Sequence, residues 1–245
     1  MDPVFSAAEE NELLRLERAM AGAGDSGAQT GIARRRFLRR GAVAAASASA
    51  IALGAGRDAR ANNPNYLPSL YAGENLREFQ AIQSHENAHV TFLTQALGSY
   101  ARPIPSFVNL AQPTLLAFAQ TARALENTGV GAYLGAAPII YSRTYLGAAG
   151  SILTIEARHA GYLNVLLNEL MTTNVENQAQ SFETPLTQSQ VVDLAGPFIT
   201  SLNGGPPLSF STTPSASNDY AILNFALALE YLEAAFYNVN VPLFS

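Results

Sequence analysis

The chain has 245 residues, 48% of them hydrophobic and 13% charged, with a formal net charge of −5, no cysteine and no tryptophan. This apolar content is ample for a buried core and excludes a disordered chain, while the lack of cysteine excludes a disulfide framework and thiolate metal sites. Every basic residue is an arginine; nine of the 14 lie in residues 1–61, leaving 5 against 12 acidic residues, a balance of 5 − 12 = −7 that speaks against nucleic-acid binding.

The chain opens with an address. Arg34-Arg35-Arg36-Phe37-Leu38-Arg39 resembles the twin-arginine export signal, and a weakly apolar, Ala-rich run from Gly41 to Gly56 follows it. That run falls short of the about 20 apolar residues a membrane span requires. Ala59-Arg60-Ala61 supplies a small-x-small cleavage pattern. The expectation is a leader over residues 1–61, with Met1 or Met20 as the true start, and a mature domain over 62–245 beginning at Asn62. The partner is then the twin-arginine export machinery, the destination periplasmic or secreted, with no membrane span in the mature chain. A basic, solvated segment leading into a helix is the competing reading.

After a lead-in containing Pro and Asn, a first helix is predicted over about 75–98, stopping at Gly98. Pro103 and Pro105 mark a connection, and a second helix opens at Pro113 and runs over about 113–137, where Pro138 forbids continuation. A third begins near Ser142 and spans about 142–170. Residues 171–218, rich in Gln, Asn, Ser, Thr, Gly and Pro, read as a long connection with one short helix around Gln188 to Leu194. The last helix, about 219–237, starts at good N-cap residues from Ser217 to Asp219.

Each long helix carries an inward stripe at spacings of three and four. The stripes read Phe79, Ile82, Glu86, His89, Leu93, Ala96 in the first and Leu115, Ala119, Ala122, Glu126, Gly129, Tyr133 in the second. The third has Tyr145, Ala149, Ile152, Glu156, His159, Leu163, Leu166, Leu170, and the last Leu223, Ala226, Glu230, Glu233, Tyr237. Ionisable groups therefore occupy core positions in all of them. A buried carboxylate without compensation is costly, and arginine is scarce, so a pair of divalent cations is the economical remedy. Glu and His three apart on a helix point the same way, and each Glu-x-x-His offers two ligands from one turn.

The pattern repeats. Glu86-x-x-His89 parallels Glu156-x-x-His159, and Glu126 with Tyr133 parallels Glu230 with Tyr237, as two half-sites about a pseudo-twofold would require. In this repeat Glu233 has Gly129 as its counterpart, which makes Glu233 a possible additional ligand or supporting group. Tyr133 and Tyr237 read as core packing with a hydrogen-bonded tip, or as support for the metal ligands. His85-Glu86-Asn87-Ala88-His89 also matches the His-Glu-x-x-His zinc-peptidase motif, although the extended form with a third histidine is absent and Glu126, Glu156, His159 and Glu230 are left unexplained. His85 itself reads as a supporting or surface residue. In a third reading the core Glu and His residues merely pair with each other.

The ligand pattern resembles the ferritin-like di-iron and di-manganese carboxylate proteins. Ile222 to Ala234, Gly129 to Gly135 and Ile155-Glu156-Ala157-Arg158-His159 are similar to the branch that includes the desiccation-related proteins. The resemblance implies an all-α, ferritin-like four-helix bundle with Glu86, His89, Glu126, Glu156, His159 and Glu230 as ligands to two divalent metal ions, iron or manganese. It implies redox activity on dioxygen or peroxide, or iron oxidation, in stress protection; a non-catalytic bundle with structural metal is the alternative. The family's usual order places a Glu helix first, whereas here that helix comes last, so the chain is expected to be circularly permuted. Exchange of the last helix with a neighbour in a homo-oligomer is the alternative.

Overall fold

The structure, a computed structural model, describes residues 74–244. The arginine-rich signal, Ala59-Arg60-Ala61, the start at Asn62 and the choice between Met1 and Met20 lie outside the described residues. Among the described residues no helix is long and apolar enough to cross a membrane.

Four long helices form an all-α bundle: α1 (Glu74–Leu97), α2 (Leu115–Ala136), α3 (Arg143–Leu166) and α5 (Ala216–Asn240), with a short α4 (Gln188–Ala195) between α3 and α5. Helix α1 packs along α5, α2 packs along α3, and α2 also meets α5. The last helix therefore pairs with the first within one chain. Two apolar clusters fill the interior. One holds Phe79, Phe118, Leu163, Leu232 and Phe236, the other Leu93, Tyr145, Ile152, Leu223 and Leu227. Along α1 and α3 the Glu-x-x-His turns fall between the two, so the ionisable residues form a band with an apolar plug on either side.

Local chemistry sets the helix ends. Gly98, at φ 54°, follows α1 in the left-handed conformation that favours glycine. Helix α2 starts at Leu115, not Pro113, because the Thr114 hydroxyl accepts from the Ala117 N–H at 3.1 Å and makes Thr114 the cap. Helix α3 ends at Leu166, short of the expected 170. The Asn164 amide donates to the carbonyls of Met171 and Thr173, and Asn168 takes φ 64°, folding the chain back. Leu170, placed on the inward stripe by spacing, is consequently 51% exposed. Helix α5 is capped by Ser215 and runs on past Tyr237 to Asn240.

The connections are more ordered than their composition suggests. Strands β1 (Ser106–Phe107) and β2 (Ile199–Ser201) pair antiparallel and tie the two long links together. Helix α4 opens on a reciprocal cap between Thr187 and Gln190. Just before it, Leu186 lies directly on α2 and donates its N–H to the Gly131 carbonyl at 2.9 Å. A Cβ on Gly131 would meet Leu186 Cγ at 2.5 Å, and one on Gly135 would overlap the Leu186 carbonyl. Helix α5 is pinned by its own polar side chains: Asp219 accepts from the N–H groups of Tyr141 and Ser142, Asn224 from Arg102 and Asn240 from Gln112.

Candidate metal centre

The four helices bring all six expected ligands together. Glu86, Glu126, Glu156 and Glu230 are 0% exposed, His89 is 8% and His159 5% exposed. Two sets of mutually close donor atoms emerge: Glu86, His89, Glu156 and Glu230, and Glu86, Glu126, Glu156 and His159, each within 4.8 Å. Glu86 and Glu156 belong to both sets, whereas each histidine and each remaining glutamate belongs to one. Each set could hold a metal ion, and the two sets share two carboxylates.

The two histidines differ in their partners: His89 meets three carboxylates, its own Glu86 included, and His159 two. His89 Nδ1 lies 3.1 Å from Glu86 Oε2, 3.1 Å from Glu156 Oε1 and 3.2 Å from Glu230 Oε2. His159 Nδ1 lies 3.0 Å from both Glu86 Oε1 and Glu126 Oε2. The outer glutamates are each held by a phenol from the opposite helix: Tyr133 donates to Glu230 Oε1 and Tyr237 to Glu126 Oε1, both at 2.5 Å.

Charge in the cluster is poorly compensated by protein alone. Burial pushes Glu156 well above the usual carboxylate range, reinforced by Glu86, Glu126 and Glu230. Burial likewise raises Glu230, to about 7, and Glu233. Burial would depress His89, but close contacts with the carboxylates of Glu156, Glu230 and Glu86 outweigh it and push it up to about 12. His159 rises to about 10 because Glu126 and Glu86 overcome its burial in the same way. Glu86 would be raised by burial, yet its two histidines hold it down at about 2. Protons thus stand in for missing positive charge. Even so, Glu156 Oε2 is buried with no partner, and Glu86 Oε1 and Glu156 Oε1 have only a histidine nitrogen beside them, at 3.0 and 3.1 Å and outside hydrogen-bond geometry, a cost that native structures rarely bear without a ligand. These orphaned oxygens belong to the two shared carboxylates, so the donor set fits divalent cations that accept mixed imidazole and carboxylate ligation.

The remaining candidates divide. Tyr133 and Tyr237 act as donors to the outer glutamates, and burial first, then the neighbouring carboxylates, keep both phenols protonated. Glu233 is 3% exposed and lies beside Glu156 over Gly129, outside both sets. His85 is also outside both: it is exposed, stacks on His159 with centroids 5.2 Å apart, and its Nδ1 lies 3.0 Å from His159 Nε2. Sequence spacing alone does not show that Glu156 and Glu233 close over Gly129; the only signal is that glycine faces glutamate in the internal repeat.

No curated protein and no solved structure matches the chain. A family model for the ferritin-like domain matches residues 37–169, more than half of the chain, taking in α1, α2, α3 and both Glu-x-x-His motifs but not α5. With a four-helix bundle built around that pair of motifs, the chain belongs to the ferritin-like domain family.

Proposed function

We propose that this ferritin-like chain holds two divalent ions, iron or manganese, and acts as an exported redox-protective protein on dioxygen or peroxide, or by oxidising iron, under oxidative or desiccation stress. The supporting observation is the sharing of Glu86 and Glu156 between two donor sets, each completed by one histidine and one outer glutamate. When bound, such an ion pair supplies two-electron exchange with dioxygen or peroxide. The chain itself fixes the outer carboxylates through Tyr133 and Tyr237 and excludes water with the apolar plugs above and below. The zinc-peptidase alternative is disfavoured by the position of His85, whose Nδ1 faces His159 and not a site shared with His89. It is disfavoured also by Glu86, whose oxygens face both His89 and His159 where a free general base is needed.

A second reading has the metal only stabilising the bundle, and the near-complete burial of the cluster favours it. Consumption of peroxide and of dioxygen by protein loaded with iron or manganese separates the two: turnover supports redox protection, and full loading with no turnover supports the structural role.

Export rests on Arg34-Arg35-Arg36-Phe37-Leu38-Arg39 and Ala59-Arg60-Ala61. The mass of the exported protein checks it, with a start at Asn62 expected and retention of Arg34 and Arg35 contradicting it. The pairing of α5 with α1 in one chain supports the circular permutation, since the helix that completes the half-site of His89 arrives last in sequence.

A further inference from the structure

The packing beside Tyr133 differs from that beside Tyr237, and the internal repeat shows where. Next to Tyr237, Phe79 meets Phe118 edge to face with ring centroids 5.0 Å apart, Phe118 stacks on Phe236 at 5.6 Å, and Phe118 touches Tyr237 itself at 5.8 Å. Carried through the spacings that relate Glu86 to Glu156 and Glu126 to Glu230, these three phenylalanines correspond to Ala149, Ile222 and Ala132. All three line a cavity of about 20 Å³ that Tyr133 also borders. Every residue on its wall is buried, and Tyr133 is the only one with a polar side chain. Its hydroxyl already donates to Glu230 Oε1 at 2.5 Å. A buried water needs about two to four polar partners, which this wall does not supply, while the volume exceeds the about 10–15 Å³ that one guest of that size requires. The cavity therefore suits a small apolar molecule. Tyr133 connects it to the metal centre, since it walls the cavity on one side and holds the outer glutamate of the His89 half-site on the other.

Resting on the two-ion reading above, we propose that this cavity is a dioxygen-binding pocket that feeds the His89 half of the metal centre past Tyr133. Dioxygen is apolar and gives up no hydrogen bonds on leaving water. Hydrogen peroxide would have to bury its donors and acceptors unpaired among methyl groups, which is costly. The pocket thus selects dioxygen over peroxide. The corresponding space beside Tyr237 is taken up by the three phenylalanine rings, so the two half-sites differ in access.

The first measurement needs no metal. Xenon, an apolar atom that enters dry cavities, is titrated into the metal-free protein and followed by its nuclear magnetic resonance in wild type, Ala149→Val and Leu223→Ala. Saturable binding is expected in wild type. Ala149→Val, which fills the cavity, is expected to weaken it about 10-fold, and Leu223→Ala, which enlarges the cavity, to strengthen it. The second measurement loads the same proteins with Fe(II). Oxidation of two Fe(II) to Fe(III) releases two electrons, which with two protons turn one dioxygen into hydrogen peroxide or one hydrogen peroxide into two waters, so both oxidants are compared on the same protein. Ala149→Val is expected to raise the dioxygen concentration for half-maximal rate about 10-fold with the maximal rate held, and saturating xenon to do the same to wild type while leaving oxidation by hydrogen peroxide unslowed. If Ala149→Val fails to fold, xenon competition in wild type and Leu223→Ala carries the same decision. Wild type that loads two ions but binds no xenon, or whose dioxygen dependence xenon leaves unmoved, or whose reaction with peroxide xenon slows equally, overturns the pocket and leaves the two-ion reading standing. Wild type that loads no divalent ion overturns both.

Discussion

The phenol of Tyr237 on α5 donates to Oε1 of Glu126 on α2 at 2.5 Å, and the reverse pair, Tyr133 on α2 to Glu230 on α5, has the same length. The two bonds cross between the same two helices in opposite senses and fix the outer carboxylate of each half-site. Hydrogen bonds to charged acceptors contribute about 1.5–3 kcal/mol, and partners that orient metal ligands are worth about 10- to 100-fold in metal affinity. Tyr133→Phe and Tyr237→Phe are therefore each expected to lower the stability of the metal-free protein by that order and to weaken metal binding. Calorimetry and metal titration measure both. Wild-type values in the two Phe variants reduce the tyrosines to packing.

Glu86 and His159 discriminate between the metal readings. Glu86 belongs to both donor sets and His159 completes one of them. Glu86→Ala and His159→Ala are each expected to lower bound metal per chain and to abolish any redox turnover. In a zinc peptidase Glu86 acts only as general base, so Glu86→Ala would keep its metal and His159→Ala would be silent. Elemental analysis of the two purified variants decides between them.

The protonation of the cluster sets a pH dependence for the metal-free protein. His89 and His159 are raised from 6.5 to about 12 and about 10, so their contribution is complete below 6.5 and is lost as pH rises through the folded values. Glu230, raised to about 7, and Glu156 and Glu233, raised as well, keep protons that the unfolded chain releases near 4.5, and this works in the same direction. Glu86, lowered to about 2, stabilises above 4.5 and loses its contribution only as pH falls toward 2. Between about pH 5.5 and 8.5 the native state thus binds more protons than the unfolded one, and its Tm is expected to fall as pH rises. Metal binding displaces those protons, so the rise in Tm on adding Mn(II) should grow over the same interval. Scanning calorimetry across the range tests both signs, and a metal-free Tm that climbs with pH contradicts them.

Gly131 and Gly135 report on the packing of the long connection. Alanine at either position meets Leu186, through its side chain at Gly131 and through its backbone carbonyl at Gly135. Overpacking of this kind costs about 1–3 kcal/mol. Gly135→Ala is expected to be the more damaging, because a carbonyl in the chain backbone yields less readily than a leucine side chain. Urea denaturation of the two variants checks the order.

The parts of the molecule legible in sequence are those governed by the helical period. Glu86 and His89, or Glu156 and His159, must share a helix face to reach one another, and the apolar residues flanking them obey the same spacing, so stripes and site appear together. Gly98 marks the end of α1 for a conformational reason that composition alone conveys. The order of the connections arises differently. Asn164 reaches the carbonyls of Met171 and Thr173, Asn224 holds Arg102, and Leu186 crosses two glycines of α2. These are contacts between distant segments made by polar residues whose composition reads as loop, and no period announces them. The close approach at Gly129 belongs to the same class: it depends on Glu156 and Glu233, which arrive from two other helices.

Metal content per chain tests the central claim most directly. Protein purified under conditions that retain bound metal, or reconstituted anaerobically with Fe(II) or Mn(II) and freed of excess, is measured by elemental analysis against protein concentration. Two donor sets sharing Glu86 and Glu156 predict two ions per chain. A single zinc per chain, or no bound metal after reconstitution, contradicts the account.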